Sequence, residues 1–204
     1  MDAIETLMTE HRLIERTIEA LIGFSGEVRR KDVDDKPELS RFVTLIREFA
    51  DTYHHGKEEN ILFAAMVEAG FPREGGPVAV MLMEHDQGRA YIRALGELAA
   101  QQAPWSVEDR QRLGDAAHGY ADLLRAHIHK EDAILYPMAE QRLPPELLER
   151  VEADCATYDA NGARSGNHER LQALADELIA RHAPLGRSDT ACAPSPRPHH
   201  GGCF

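Results

Sequence analysis

Apolar residues return every three to four positions through the first 143 residues, the period of a helix, and no stretch alternates with the period of two that marks a strand. On the first stripe, Ile4, Leu7, Met8, His11, Ile14, Ile18, Leu21 and Ile22 share a face; Gly23 and Gly26 are expected to end it, with a charged loop following through Lys36. Pro37 suits the first turn of a second helix, whose stripe is Val43, Ile46, Ala50, His54, Glu58, Ile61 and Ala65 and whose end is marked by Gly70 and Pro72. The third carries Val78, Met81, Leu82, His85, Ile92, Leu95 and Ala99. After Pro104, Ser106 reads as an N-cap with Glu108 and Asp109 in the first turn. The fourth stripe is Leu113, Ala117, Tyr120, Leu124, His127, Glu131, Ile134, Leu135 and Met138, and Pro137 within it should kink or end the ladder.

Long helices with short or moderate connections predict an all-α fold, an up-down-up-down four-helix bundle over residues 1–143. Residues 144–183 read as a helical appendage. It holds a short helix around residues 146–156, a glycine-containing loop, and a further helix near 167–181 with Leu171, Leu174, Ala175, Leu178 and Ile179 toward the bundle. Residues 184–204 are poor in large apolar residues and are expected to form a flexible, disordered tail.

Composition narrows the partners. With 23 basic against 35 acidic residues the chain is a poor ligand for nucleic acid or an anionic membrane. No apolar run approaches the ~20 residues that span a bilayer. Met1 leads straight into an amphipathic helix rather than a signal peptide. The three cysteines, Cys155, Cys192 and Cys203, are late and scattered, which argues against a disulfide framework and for a cytoplasmic protein.

The chemistry lies in a repeat. EHRLIERTIEAL from Glu10 is matched by EHDQGRAYIRAL from Glu84, and HHGKEENILF from His54 by HIHKEDAILY from His127. Each half therefore gives one helix with a single His and a next helix with His-x-x-x-Glu, a spacing that puts both side chains on one face. One His on an apolar stripe is ordinarily a core imidazole bonded to a carbonyl. Four His and two Glu at matching depth are not explained that way, because two uncompensated buried carboxylates would cost several kcal/mol each. Two cations remove that cost, so His11, His54, Glu58, His85, His127 and Glu131 are the candidate metal ligands. The ungapped alignment sets His55 opposite Ile128 and Glu59 opposite Asp132. His55 and Glu59 form a rotated His-x-x-x-Glu pair and stay open as alternative ligands. Glu59, Asp132 and His129 otherwise read as outer or surface groups, and Glu10 and Glu84 as groups able to orient an imidazole.

These motifs resemble the haemerythrin-like, or HHE cation-binding, domain over residues 1–143. The resemblance implies a non-haem di-iron centre in which Glu58 and Glu131 bridge two Fe ions, with oxo or hydroxo bridging, and the four His complete the coordination. It also implies reaction with a small ligand: peroxide, O2 or nitric oxide. Oxygen-carrying members have a second His one turn after the third helix's His and an Asp on the fourth. Here Arg89 follows His85 at that spacing and Glu131 follows His127. On this reading the set is one His poorer and nearly two-fold symmetric, which favours redox, peroxide or nitric oxide chemistry in stress defence over oxygen carriage. Peroxide decomposition of the catalase type is the leading activity. Sensing or binding without turnover, and iron donation to an iron–sulfur acceptor protein, are the alternatives; an electron donor is a further expected partner.

Tyr53, Tyr91 and Tyr120 lie near ligands in the sequence, though their plainer role is packing. His168, at the start of the last helix, reads as a solvated first turn, Cys155 has no redox motif around it, and the tail's His199, His200 and Cys203 read as a weak chelating segment.

Overall fold

Asp2 starts the first helix by accepting a hydrogen bond from the Ile4 amide at 3.1 Å, and Asp32, in the left-handed region at φ 54°, ends it. The computed structural model describes residues 2–164 and 166–182. Among them six helices follow one another: α1 (Ala3–Lys31), α2 (residues 36–68), α3 (Pro77–Ala100), α4 (residues 107–142), α5 (Pro145–Arg164) and α6 (Asn167–His182), with no strand. The expectation that Gly23 and Gly26 end α1 is wrong. Each glycine costs a helix about 1 kcal/mol, but Phe24 and Val28, both buried, hold the last two turns against the core.

Consecutive helices of α1–α4 are antiparallel neighbours, and α1 closes the ring on α4. Pro37 and Pro77 occupy first-turn positions, where the missing N–H has no partner to lose. Ser106 caps α4 reciprocally with Asp109, as the sequence indicated. Of the expected stripe residues, Met8 and Ile134 instead face solvent.

The ladders of α2 and α4 are not uniform. Residues Ile46–His55 and Glu58–Leu62 in α2, and Glu131–Leu135 in α4, are wound as π-helix. The Pro137 in α4 does not end the helix: the π turn just before it re-registers the ladder, and α-helix resumes over Tyr136–Arg142.

Two apolar clusters fill the bundle. One is built around Phe24, Phe42, Leu95 and Leu124, the other around Leu7, Leu62, Phe63 and Leu135. His11, His54, His85, His127, Glu58 and Glu131, each no more than 1 % exposed, fall between them in sequence on all four helices.

The appendage is more ordered than expected. In place of a short helix and a loop, α5 runs continuously to Arg164, and α6 lays Leu171, Ala175, Leu178 and Ile179 on the bundle. The Tyr158 hydroxyl on α5 donates to the Thr52 carbonyl at 2.8 Å, directly over Gly56, where a Cβ would lie 2.6 Å from that oxygen. The tail from residue 184, with His199, His200 and Cys203, lies outside the described residues. Among the described residues no helix is long and apolar enough to cross a membrane.

Phe24 is 2 % exposed and packs on Phe42 and on His182 of α6. Phe24→Ala should cost about 3–5 kcal/mol of unfolding free energy, read from urea denaturation. A loss under about 1 kcal/mol would contradict this packing.

Candidate metal centre

The six side chains singled out by the repeat come together, and a seventh joins them. His11, His54, Glu58 and Glu131 offer ligand atoms within 4.8 Å of one another, and so do His55, Glu58, His85 and His127. Glu58 belongs to both groups. His55 was the open alternative to His54; the structure buries both, because Glu58 stands four residues after one and three after the other and so lies a turn above each. The π winding that ends at His55 lets adjacent residues share the buried side. The His55 ring stacks on His85 with centroids 3.7 Å apart.

The reading that the cluster is one His poorer is therefore corrected. The fifth imidazole comes from α2, while Arg89, a turn after His85, points to carboxylates instead. The near two-fold symmetry is broken in the same place, since the counterpart of His55 is the apolar Ile128.

All five imidazoles are oriented alike. Nδ1 of His11 meets Asp132 at 2.7 Å, that of His54 meets Glu10 at 2.8 Å, that of His85 meets Glu59 at 2.7 Å and that of His127 meets Glu84 at 3.0 Å. His55 Nδ1 lies 3.4 Å from Asp51. A carboxylate at Nδ1 accepts that N–H, which in a neutral ring favours the tautomer with its lone pair on Nε2. The Nε2 atoms turn inward: those of His85 and His127 are 3.1 Å apart, and those of His11 and His127 are each 3.2 Å from Glu131. Glu59 is thus an orienting group beside His85, not a partner of His55, and its register differs from the alternative pair read in the sequence.

Cations anchor the carboxylates in turn. Lys57 binds Glu10, Lys130 binds Glu84, and Arg12 binds Asp132. Arg89 reaches Asp51 at 2.8 Å and Glu59 at 2.7 Å. Lys57 and Lys130 are equivalent in the repeat, as are Glu10 and Glu84, so the duplication extends to this outer layer. Lys57 is fully buried and also reaches Asp159 of α5 at 2.9 Å. Burial would lower its pKa, but Glu10 and Asp159 outweigh burial and raise it.

Among the described residues His54 Nε2, Glu58 Oε2 and both oxygens of Glu131 make no well-formed hydrogen bond, although Glu131 Oε2 lies 3.2 Å from the Nε2 atoms of His11 and His127. Unpaired buried carboxylate oxygens are strongly unfavourable, and a cation is the group this donor set fits. The protonation pattern points the same way. Burial, reinforced by Glu58, raises the Glu131 pKa well above the carboxylate range. Burial opposes ionisation of Glu58 too, but the surrounding imidazoles outweigh it and lower its pKa. Burial alone would lower the His11 pKa, yet Asp132 and Glu131 hold it up at about 10. Burial and the neighbouring His85 push His55 down to about 4 and His127 down to about 3. A cation bound here would compete with protons for these same atoms.

Sequence reasoning missed Tyr136. Its hydroxyl, fully buried, donates to Glu58 Oε1 at 2.6 Å, and its ring stacks on His11 with centroids 5.6 Å apart. The signal was in the repeat: Tyr136 stands where the first half has Phe63, the one polar gain in otherwise matched ILF and ILY triplets. The tyrosines singled out earlier lie elsewhere. Tyr53 donates to Asp159 at 2.7 Å, Tyr91 packs against Gly119, and Tyr120 sits in the first apolar cluster. His129 is exposed, His168 packs on the rings of Phe49 and Tyr53, and Cys155, on α5, is buried. Asp51, the His55 partner, was also missed, because its role depends on His55 facing inward.

Residues 2–139 match the Hemerythrin HHE cation binding domain. The chain belongs to that family, and its buried His and Glu clusters make it a metal-binding member. It is 26 % identical over 192 residues to uncharacterized proteins of Mycobacterium tuberculosis and Mycobacterium bovis, covering 92 % of this chain and 71 % of theirs. It is 32 % identical over 126 residues to the iron–sulfur cluster repair protein YtfE of Dickeya chrysanthemi, covering 58 % of this chain and 56 % of that protein. No solved structure matches the chain.

Tyr136→Phe keeps the ring and removes the donor to Glu58. Metal affinity, measured by competition with a chromophoric chelator, should fall about 10–100-fold with the helical circular dichroism unchanged. Glu84→Gln, which perturbs the His127 orientation, should act in the same range, and unchanged affinity in both would remove the outer layer from the argument.

Proposed function

We propose that the protein holds two iron ions in the bundle core, one among His11, His54, Glu58 and Glu131 and one among His55, His85, His127 and Glu58. Glu58 faces both clusters. The observation that carries this reading is the set of unpaired buried oxygens facing five inward Nε2 atoms. Imidazole and carboxylate donors suit iron. Two such ions supply two-electron exchange with peroxide or O2 and, when ferrous, bind nitric oxide.

The chain's own residues set the conditions for that chemistry. The two apolar clusters exclude bulk water, and the Nδ1–carboxylate bonds raise the basicity of each imidazole. The Tyr136 hydroxyl holds a proton against Glu58 Oε1 and limits the charge that Glu58 can present. Consumption of peroxide, with release of O2 and water, is the leading activity, within a role in oxidative or nitrosative stress defence. Arg89, a turn after His85 where a further imidazole would extend the ligand set, favours this over carriage of O2. The His55 contribution gives the second reading its support: an unequal division of three imidazoles and two resembles a site that binds O2 or nitric oxide without turnover. Similarity to the YtfE iron–sulfur repair proteins supports a third, iron donation to an acceptor protein.

Anaerobic loading with ferrous iron should give about two irons per chain. O2 evolution on adding hydrogen peroxide selects the first reading, a stable coloured adduct without gas the second, and iron transfer to an apo iron–sulfur protein the third. Glu58→Ala and Glu131→Ala should each lower iron content and thermal stability together, because an emptied cluster leaves the remaining ligands buried and unpaired. His55→Ile, which copies the other half of the repeat, should lower occupancy toward one iron. If both Glu variants keep two irons, the assignment fails.

A further inference from the structure

Beside the candidate metal site, α2, α3 and α4 line a half-open cavity of about 380 Å³. Buried Ile46, Ile92 and Tyr120 form its apolar wall. Tyr120 is only 2 % exposed, and its hydroxyl makes no hydrogen bond among the described residues. His55 and Asp51 line the inner side, so the cavity reaches the edge of the candidate metal site.

Three guanidiniums border the same space, those of Arg47, Arg89 and Arg93. Arg89 is committed to Asp51, Glu59 and Asp86. Arg47 and Arg93 are exposed and form neither ion pair nor hydrogen bond among the described residues. Both therefore remain available to an anion at the cavity mouth, in a chain whose net charge is −12. The backbone makes room for them. A Cβ at Gly96 would lie 2.6 Å from an Arg47 guanidinium nitrogen, so the missing side chain lets that head rest against α3. Gly88 is buried in the cavity wall, where a Cβ would already touch the Tyr120 ring at 3.4 Å.

We propose that this cavity is a binding site for a small organic anion, an apolar body lying on Ile46, Ile92 and Tyr120 with an oxyanion head between Arg47 and Arg93. The volume is that of a small-molecule pocket. The guanidinium fork matches the planar, paired oxygens of a carboxylate and the oxygens of a phosphate ester. The Tyr120 hydroxyl offers the occupant one further polar contact at depth. The inference stands on the cavity and its arginines and does not require the iron reading.

Calorimetric titration of the full chain tests it, with benzoate and phenyl phosphate as probes and benzyl alcohol and inorganic phosphate as controls. One or both aromatic anions should bind, the tighter one naming the head, and both controls at least about tenfold more weakly. The Arg47→Gln/Arg93→Gln double variant changes only exposed side chains. It should lower the affinity for the aromatic anion by about tenfold or more, with helical content and metal content unchanged. Gly88→Val should block the cavity and abolish binding. Inorganic phosphate binding as tightly as the aromatic anions would reduce the site to a cationic surface patch and overturn the proposal. So would unchanged affinity in the arginine double variant, or no binding of either aromatic anion.

Discussion

The structure depends on the burial of two carboxylates, Glu58 and Glu131, at 0 % exposure between two apolar clusters. A carboxylate in that position is tolerated only with compensating charge or a captured proton. The bundle supplies five imidazoles around the pair, and four of the buried atoms still make no well-formed hydrogen bond among the described residues. The hydrophobic helix faces that assemble the bundle therefore also create an unfavourable electrostatic site at its centre, and binding a cation relieves it. Folding and metal affinity are coupled through the same few side chains.

The arrangement is layered outward in a regular order. Inward Nε2 atoms are fixed by Nδ1–carboxylate bonds, and the carboxylates are fixed by Lys57, Lys130, Arg12 and Arg89. Each layer lowers the freedom of the one inside it. The Lys57 position also ties α5 to the site through Asp159, so the appendage stiffens the ligand helix rather than merely covering it.

Much of this was legible in the sequence because helix period and internal repeat are local signals. The four stripes, the Ser106 cap and the convergence of His11, His54, Glu58, His85, His127 and Glu131 all follow from spacing. The inward turn of His55 was not legible as an addition to His54. An α-helical wheel separates adjacent residues by about 100°, and the π winding that relaxes this separation carries no sequence mark of its own. The extension of α1 past Gly23 and Gly26, and of α5 to Arg164, shows packing overriding local propensity. Tyr136 was hidden because its hydroxyl acts across helices, a relation that no single stripe records.

The π turns also mark where the two halves of the bundle agree and where they part. Those at Glu58–Leu62 and Glu131–Leu135 fall at the same place in both copies of the hairpin, immediately at the Glu of each His-x-x-x-Glu pair. At that register the same turn presents a buried Glu to the core in both halves. The π stretch over Ile46–His55 has no counterpart in α4, where ordinary α-helix runs to Lys130. Where the two halves differ in winding they also differ in donors: one turns the imidazole of His55 inward, and the other has the apolar Ile128.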